Sequence, residues 1–152
     1  MTDLQHNRAL AEKFCEAWNS RDMALFDEIF HPDMTWHVAV TPPHVSEPPK
    51  LQSDTLSNLG MIWQKVIYSK QETIDIFNYT LNSFSEFSIT LSSTTAEGDR
   101  VAVETLGKAV HPQNGRRYDN VYCYMLHIRD GKIALLREYQ NTLLVFDVMV
   151  AP

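Results

Sequence analysis

The residues best suited to chemistry lie between Gly115 and Asn141, in the run GRRYDNVYCYMLHIRDGKIALLREYQN. Asp130-Gly131 tolerates positive φ at both centres of a type I′ turn, so the run reads as a β-hairpin with Arg129 and Lys132 flanking a tight reversal. One row of its first arm holds Tyr118, Asn120, Tyr122, Tyr124, Leu126 and Ile128. The alternate row holds Asp119, Val121, Cys123, Met125, His127 and Arg129. Neither row is purely polar, so the arm is expected to be covered on both sides. The return arm, Ile133 to about Thr142, carries Leu136, Glu138 and Gln140 in one row, with Glu138 across the sheet from Asn120 and Tyr122. A carboxylate facing phenols and an amide is a proton-transfer set: the acid takes or returns a proton, and the neutral donors hold an oxyanion. The competing reading is structural, with Glu138 paired to a tyrosine hydroxyl at a barrel rim and the aromatics serving as core. Register decides between inward and outward placement. A bulge in the return arm is expected to turn Tyr139 and Asn141 inward and Glu138 out.

Other chemistries find less support. The histidines, His6, His31, His37, His44, His111 and His127, include no i,i+4 pair and no Cys/His cluster with metal spacing, so no metal is expected. His37 alternates with Trp36 and falls on the opposite strand face, and His44 sits in a proline-rich loop that could close over a ligand. No GxGxxG, P-loop or GxSxG sequence is present, which leaves nucleotide cofactors and serine hydrolysis without a basis; no cofactor is expected. Cys15 and Cys123 are too few for a disulfide framework and read as small buried thiols.

The elements that must position these residues follow from periodicity. Residues 3 to 19 carry Leu4, Ala11, Phe14, Cys15 and Trp18 at helical spacing. Asp22 is placed to cap a second helix that buries Phe26, Ile29 and Phe30 and stops at His31-Pro32. Met34 to Val40 reads as a strand with Met34, Trp36 and Val38 on one face. Thr41 to Lys50, with four prolines, reads as an irregular loop. A third helix from Ser53 or Asp54 would bury Leu56, Leu59, Trp63, Val66 and Ile67, and Ser69 to Glu72 resembles a capping box for a helical piece toward Tyr79. Alternation resumes from Phe84 through Leu91, Glu97-Gly98-Asp99 reads as a turn, and Val101 to His111 as the next strand. Three long antiparallel strands are expected to end the chain. Helices first and strands afterwards indicate an α+β domain with helices on one face of a curved sheet.

Composition sets the outer limits. The chain has 152 residues, 44% hydrophobic and 21% charged, the profile of one globular domain spanning 1–152. A net charge of -6, with no basic cluster beyond Arg116-Arg117, argues against nucleic-acid and anionic-membrane binding. A polar N-terminus and short apolar runs predict neither a signal peptide nor a spanning helix, and hence a cytoplasmic protein.

Taken together, Phe14-Cys-Glu-Ala-Trp18-Asn19-Ser-Arg-Asp22, Leu25-Phe26 to Phe30-His-Pro-Asp33-Met-Thr-Trp36-His37, Gly98-Asp-Arg-Val-Ala-Val-Glu104, and Gly115 through Asp130-Gly-Lys-Ile133 to Arg137-Glu-Tyr139 resemble the nuclear transport factor 2-like superfamily. Within it they are similar to SnoaL-like and ketosteroid-isomerase-like small proteins. The resemblance covers nearly the whole chain. It implies a cone-shaped, curved, mostly antiparallel sheet with the N-terminal helices packed on its concave face, a pocket at the open end, and commonly a homodimer. It also implies what is absent. The tyrosine and aspartate of ketosteroid isomerases fall at Phe14 and Val38. Of the Asp-Arg-Asp set of limonene-epoxide hydrolases only one acid matches, at Glu138; Thr105 and Gly107 stand at the others, and Trp36 and Val38 where that family holds its lytic water.

Glu138 therefore stands as the expected general base or acid, with Asn120 and Tyr122 orienting a substrate or its oxyanion. Phe14, Trp18, Trp36, Val38, Trp63 and Tyr124 are the expected walls of a pocket for a small apolar molecule. The expected activity is cofactor-independent isomerisation, cyclisation or dehydration of a carbonyl or cyclic compound; the alternative is a non-catalytic ligand-binding or dimeric interaction domain. Val121, Cys123, Met125 and Leu135 form an apolar outer patch that predicts a homodimer.

Overall fold

In the computed structural model, which describes residues 3–38 and 67–149, helix α1 (Asp3–Ser20) buries Leu10, Ala11, Phe14, Cys15, Ala17 and Trp18 along one stripe. Leu4, expected on that stripe, is 41% exposed, while Asn7 replaces it inside by donating to the Gly98 carbonyl at 2.9 Å. The C-terminal end of α1 is pinned by Asn19, whose amide both donates to and accepts from the backbone of Ile89, each at 2.8 Å. Asp22 caps α2 (Met23–Ile29) as expected, accepting from the amides of Ala24 and Leu25.

Strand β1 (Phe30–His37) begins earlier than the periodicity suggests, immediately after α2. Pro32 has no N–H to give, and it falls in the interval between Phe30 and Thr35 where pairing with the neighbouring strand shifts register. The helix expected from Ser53 or Asp54 lies outside the described residues. Its final member, Ile67, is a correction: it opens the short strand β2 (Ile67–Ser69) opposite His37 and is 36% exposed. Helix α3 (Lys70–Ser83) starts at the capping box of Ser69 and Glu72 and buries Thr73, Ile74, Phe77 and Leu81. Phe84, expected to open a strand, instead ends this helix.

Four long strands follow, not three: β3 (Phe87–Glu97), β4 (Arg100–Ala109), β5 (Asn120–Arg129) and β6 (Lys132–Gln140). The sheet runs β2-β1-β6-β5-β4-β3, antiparallel at every junction except β1 beside β6. This is the α+β cone expected, with the helices packed on one sheet face. The core between them is continuous, from Phe14, Phe26, Phe30 and Phe77 on the helix side to Val101, Val103, Leu126, Ile133 and Leu136 on the strands. A terminal helix α4 (Thr142–Met149) was not anticipated. It forms a second small core with Phe84, Ala109 and Tyr118 beside the outer end of β5. Among the described residues no helix is long and apolar enough to cross a membrane.

Candidate active site

The hairpin places the site, through a feature that reverses one expectation. Asp130 and Gly131 adopt φ of 53° and 72°, the type I′ signature, and Arg129 pairs with Lys132. Continued regularly, that turn would set even-numbered residues of β5 opposite odd-numbered residues of β6, and Glu138 would share the outer face with Cys123. A bulge intervenes: Ile128 faces Ile133 but His127 faces Leu135, which leaves Ala134 as the extra residue. Beyond it Leu126 faces Leu136, Tyr124 faces Glu138 and Tyr122 faces Gln140. The bulge therefore turns Glu138 inward rather than outward. Tyr139 is 43% exposed on the other face, and Asn141 caps α4 by accepting from the amides of Leu143 and Leu144. Glu138 stands directly opposite Tyr124 and diagonal to Tyr122, one step along from the expected pairing.

The Glu138 side chain is 7% exposed, and burial pushes its carboxyl up to about 7. The opposing pull comes from the nearby indole N–H of Trp36. That N–H closes no hydrogen bond of ordinary geometry, so the acid sits close to a donor without a formed bond. Trp36 is wedged between Tyr68, with centroids 5.1 Å apart, and Phe77 at 5.3 Å. On the other side of Glu138, the Tyr124 ring meets Phe14 edge-on at 5.0 Å and stacks on Tyr122 at 5.5 Å. Burial holds both phenols well above their ordinary pKa; the neighbouring tyrosines, above all Tyr118 beside Tyr122, and the Glu138 charge add to the effect, so both are neutral near pH 7. Tyr122 can lean over β4 because residue 107 is glycine: a Cβ there would stand 2.9 Å from the tyrosine ring.

Asn120 is fully buried, but its amide is spent within the protein. It donates to the Tyr118 hydroxyl at 2.9 Å and to Gln140 Oε1 at 3.3 Å, and accepts from the Asn141 backbone N–H at 3.1 Å. Tyr118 in turn donates to Gln140 at 3.0 Å. These bonds tie the end of β6 to the start of α4. Tyr118 and Gln140 were missed as partners, although both lie in the inward rows that alternation defines.

Phe14 and Val38 are 0% and 1% exposed and Trp18 is 5% exposed; all three belong to the main core around Tyr124 and Trp36. Trp63 and His44 lie outside the described residues. His37 faces away from Trp36 as expected, within 3.3 Å of the Thr35 hydroxyl, its pKa lowered by burial and by Arg137. Cys15 is buried as expected, whereas Cys123 on the outer row is only half-buried. Among the described residues no three His, Cys, Asp or Glu side chains gather where they could hold a metal. A surface cleft of about 400 Å³, lined by Arg21, Glu86, Lys108 and Arg117 among others, contains none of the expected site residues.

Comparison with known proteins gives a consistent picture. A family described as a SnoaL-like domain matches residues 11–136. No curated protein matches the chain. Among solved structures, a candidate SnoaL-like polyketide cyclase from Jannaschia sp. CCS1 superposes with a TM-score of 0.74 at 15% identity, over 100% of this chain and 97% of that one. IdmH, a candidate polyketide cyclase from Streptomyces antibioticus, gives 0.71 at 18% identity, over 95% and 99%. A candidate isomerase from Bacillus subtilis gives 0.72 at 18%, over 97% and 95%. At such identities the likeness establishes the fold.

Proposed function

The chain belongs to the SnoaL-like domain family, and from that premise we propose that it is a cofactor-independent enzyme that moves a proton on a small, largely apolar carbonyl or cyclic compound. Isomerisation, cyclisation and dehydration are the reaction types in view. The observation that carries the proposal is Glu138, a buried acid held at about 7 on the inward face of the sheet. A base of that strength ionises near neutral pH and can return the proton it takes. Tyr122, with Tyr124 beside it, supplies neutral phenols for a developing enolate oxygen, and the Trp36 N–H lies beside the acid. Asn120 contributes by holding Tyr118 and Gln140. Phe14, Trp18 and Val38 complete the apolar walls. The relatives described as candidate polyketide cyclases and a candidate isomerase fit this class of chemistry.

A non-catalytic ligand-binding or dimeric interaction domain is the second reading. It is favoured by the absence of a closed hydrogen bond between Glu138 and a second polar group, and by Asn141, an amide engaged as a helix cap. Exchange of α-hydrogens into deuterated solvent, measured on ketones from a panel of steroids, terpenoids and aromatic polyketides, separates the two. Glu138→Gln should slow exchange by roughly two to four orders of magnitude while tryptophan quenching by the same ligand persists. Undiminished exchange in the variant removes Glu138 from the mechanism; binding by the wild type without any exchange favours the second reading.

The same proposal places the protein in the cytoplasm, whose reducing conditions suit its two free thiols, and assembles it as a homodimer through the outer sheet face. There Val121 is 58% exposed, next to half-buried Cys123, Met125 and Leu135. Sedimentation at micromolar concentration should give a dimer, and a monomer would remove that part of the proposal.

A further inference from the structure

The surface cleft of about 400 Å³ lies where the turn after α1, the approach to β3 and the end of β4 meet, and its charge runs against that of the chain. The sequence holds 19 acidic residues against 13 lysines and arginines, yet the cleft lining gathers Arg21, Lys108 and Arg117 against one acid, Glu86. Arg117 is already committed to Asp119, to which it donates twice, at 2.9 and 3.0 Å. Arg21 gives one N–H to the Leu81 carbonyl at 3.2 Å. Lys108 closes no hydrogen bond among the described residues and meets Asp119 only through the reach of its charge. Arg21 also stands where the backbone favours a different residue. At the end of α1 the Asp22 N–H donates to the Ala17 carbonyl at 3.1 Å and the Arg21 N–H to the Trp18 carbonyl at 3.3 Å, which leaves Arg21 at a φ of 57°, the left-handed position that glycine usually takes. A side chain kept there at a backbone cost points to a use outside the turn. The apolar part of the lining is Phe87 and Ala109, a cross-strand pair, and the half-buried Phe87 ring leans on Trp18 with centroids 5.3 Å apart.

We propose that this cleft is a second ligand site, separate from Glu138, and that it takes a small aromatic carboxylate. The carboxylate lies between Arg21 and Lys108, whose guanidinium and ammonium supply charge-assisted donors, and the ring rests on Phe87. One negative charge matches the two cations that are not held in ion pairs. A phosphate dianion would bring a second charge up against Glu86, with Arg117 already neutralised by Asp119. A neutral compound would leave both cations unused. The volume is in the range of small-molecule sites.

The test titrates the full chain by calorimetry with 2-naphthoate and with its neutral counterpart, 2-naphthamide. Wild type should bind the carboxylate about tenfold more tightly, and the preference should shrink as sodium chloride rises from about 20 to about 500 mM. Lys108→Gln and Arg21→Gly should each erase the preference and leave the amide affinity unchanged. Glycine suits the φ at position 21, and Lys108 is exposed and unbonded; should loss of the Leu81 bond disturb Arg21→Gly, Lys108→Gln carries the test alone. Equal affinity for the two probes, failure of the wild type to bind either, or a preference that survives Lys108→Gln would overturn the proposal. So would loss of the preference in Glu138→Gln, because the carboxylate would then occupy the other site. Glu138→Gln is expected to keep the preference whatever it does to α-hydrogen exchange, so the cleft and the proton-transfer reading stand or fall separately.

Discussion

The two halves of the β5–β6 hairpin are both largely covered and chemically opposite. Near the turn the inward row is Leu126, Ile128, Ile133 and Leu136, each 9% exposed or less and wholly apolar. Past the middle, the same row continues as Tyr124, Glu138, Tyr122, Gln140 and Asn120, with Glu138 and Asn120 as well covered as Ile128 next to the turn. A fold selected for stability alone would extend the first half, since each apolar side chain there gains from burial and none forfeits a hydrogen bond with water. The open half divides further. Tyr118, Asn120 and Gln140 satisfy one another, so their burial is offset by bonds formed. Trp36 Nε1 and Thr105 Oγ1 close no hydrogen bond, and the one group that draws the Glu138 carboxyl back down is the Trp36 indole. Buried polarity is thus of two kinds in this molecule, one that closes the fold and one that burdens it.

The largest expected effect that sharpens this contrast is a dependence of stability on pH carried by Glu138. Its folded pKa, about 7, lies above the ordinary value of 4.5, so the folded state holds a proton that the unfolded state releases. The sign follows. Below 4.5 both states are protonated and the carboxyl costs nothing; the penalty then grows through the interval and is complete above about 7. Compared with Glu138→Gln, which does not titrate, wild type should lose up to roughly 3 kcal/mol between those limits. Denaturant unfolding of both proteins at pH 4, 6 and 8 measures the difference, and other titrating groups cancel in the comparison. A gap that stays constant with pH would mean that the carboxyl finds a partner in solution and belongs with the satisfied half.

Much of this arrangement was legible before the structure and part of it could not have been. Alternation in the first arm identified the inward row from Tyr118 to Ile128, and the Asp130-Gly131 turn was recognisable because only a few dipeptides tolerate two successive positive φ values. The inward placement of Glu138 was also named, but by way of a row count that a regular turn would have contradicted. Ala134 supplies the missing residue, and an alanine carries no local signal for a bulge; it is fixed by the need to bury Ile133 and Leu136 together. Helix α4 escaped notice because Thr142-Leu-Leu-Val-Phe resembles an extension of the return strand, being apolar and partly β-branched. Its one signal was Asn141, an effective N-cap immediately before the run. Thr105 carries no signal in the sequence beyond standing where related hydrolases hold another residue. No pattern in one sequence reveals a hydroxyl that lacks a partner, since that fact belongs to its neighbours in space.

The smaller effect tests the satisfied half. Asn120→Ala removes the donor to Tyr118 and Gln140 and leaves the Asn141 N–H, at the start of α4, without its acceptor. An orphaned buried donor of this kind costs about 1–3 kcal/mol, opposite in sign to the relief expected from neutralising residue 138 at pH 8. The loss should be local as well as global. Backbone amides of α4 should exchange with solvent faster in the variant, because Asn141 both receives Asn120 and caps that helix. Asn120→Asp offers a conservative contrast, since it keeps the acceptor for Asn141 while removing the donor to Tyr118. It should therefore retain α4 protection better than alanine does, at a pH where the new carboxylate is charged. Were Asn120→Ala to leave the melting temperature and α4 exchange unchanged and instead slow α-hydrogen exchange in a bound ketone, Asn120 would act on the ligand's oxyanion directly. The division between polar groups that hold the fold and polar groups that serve the ligand would then have to be redrawn with Asn120 on the side of Glu138.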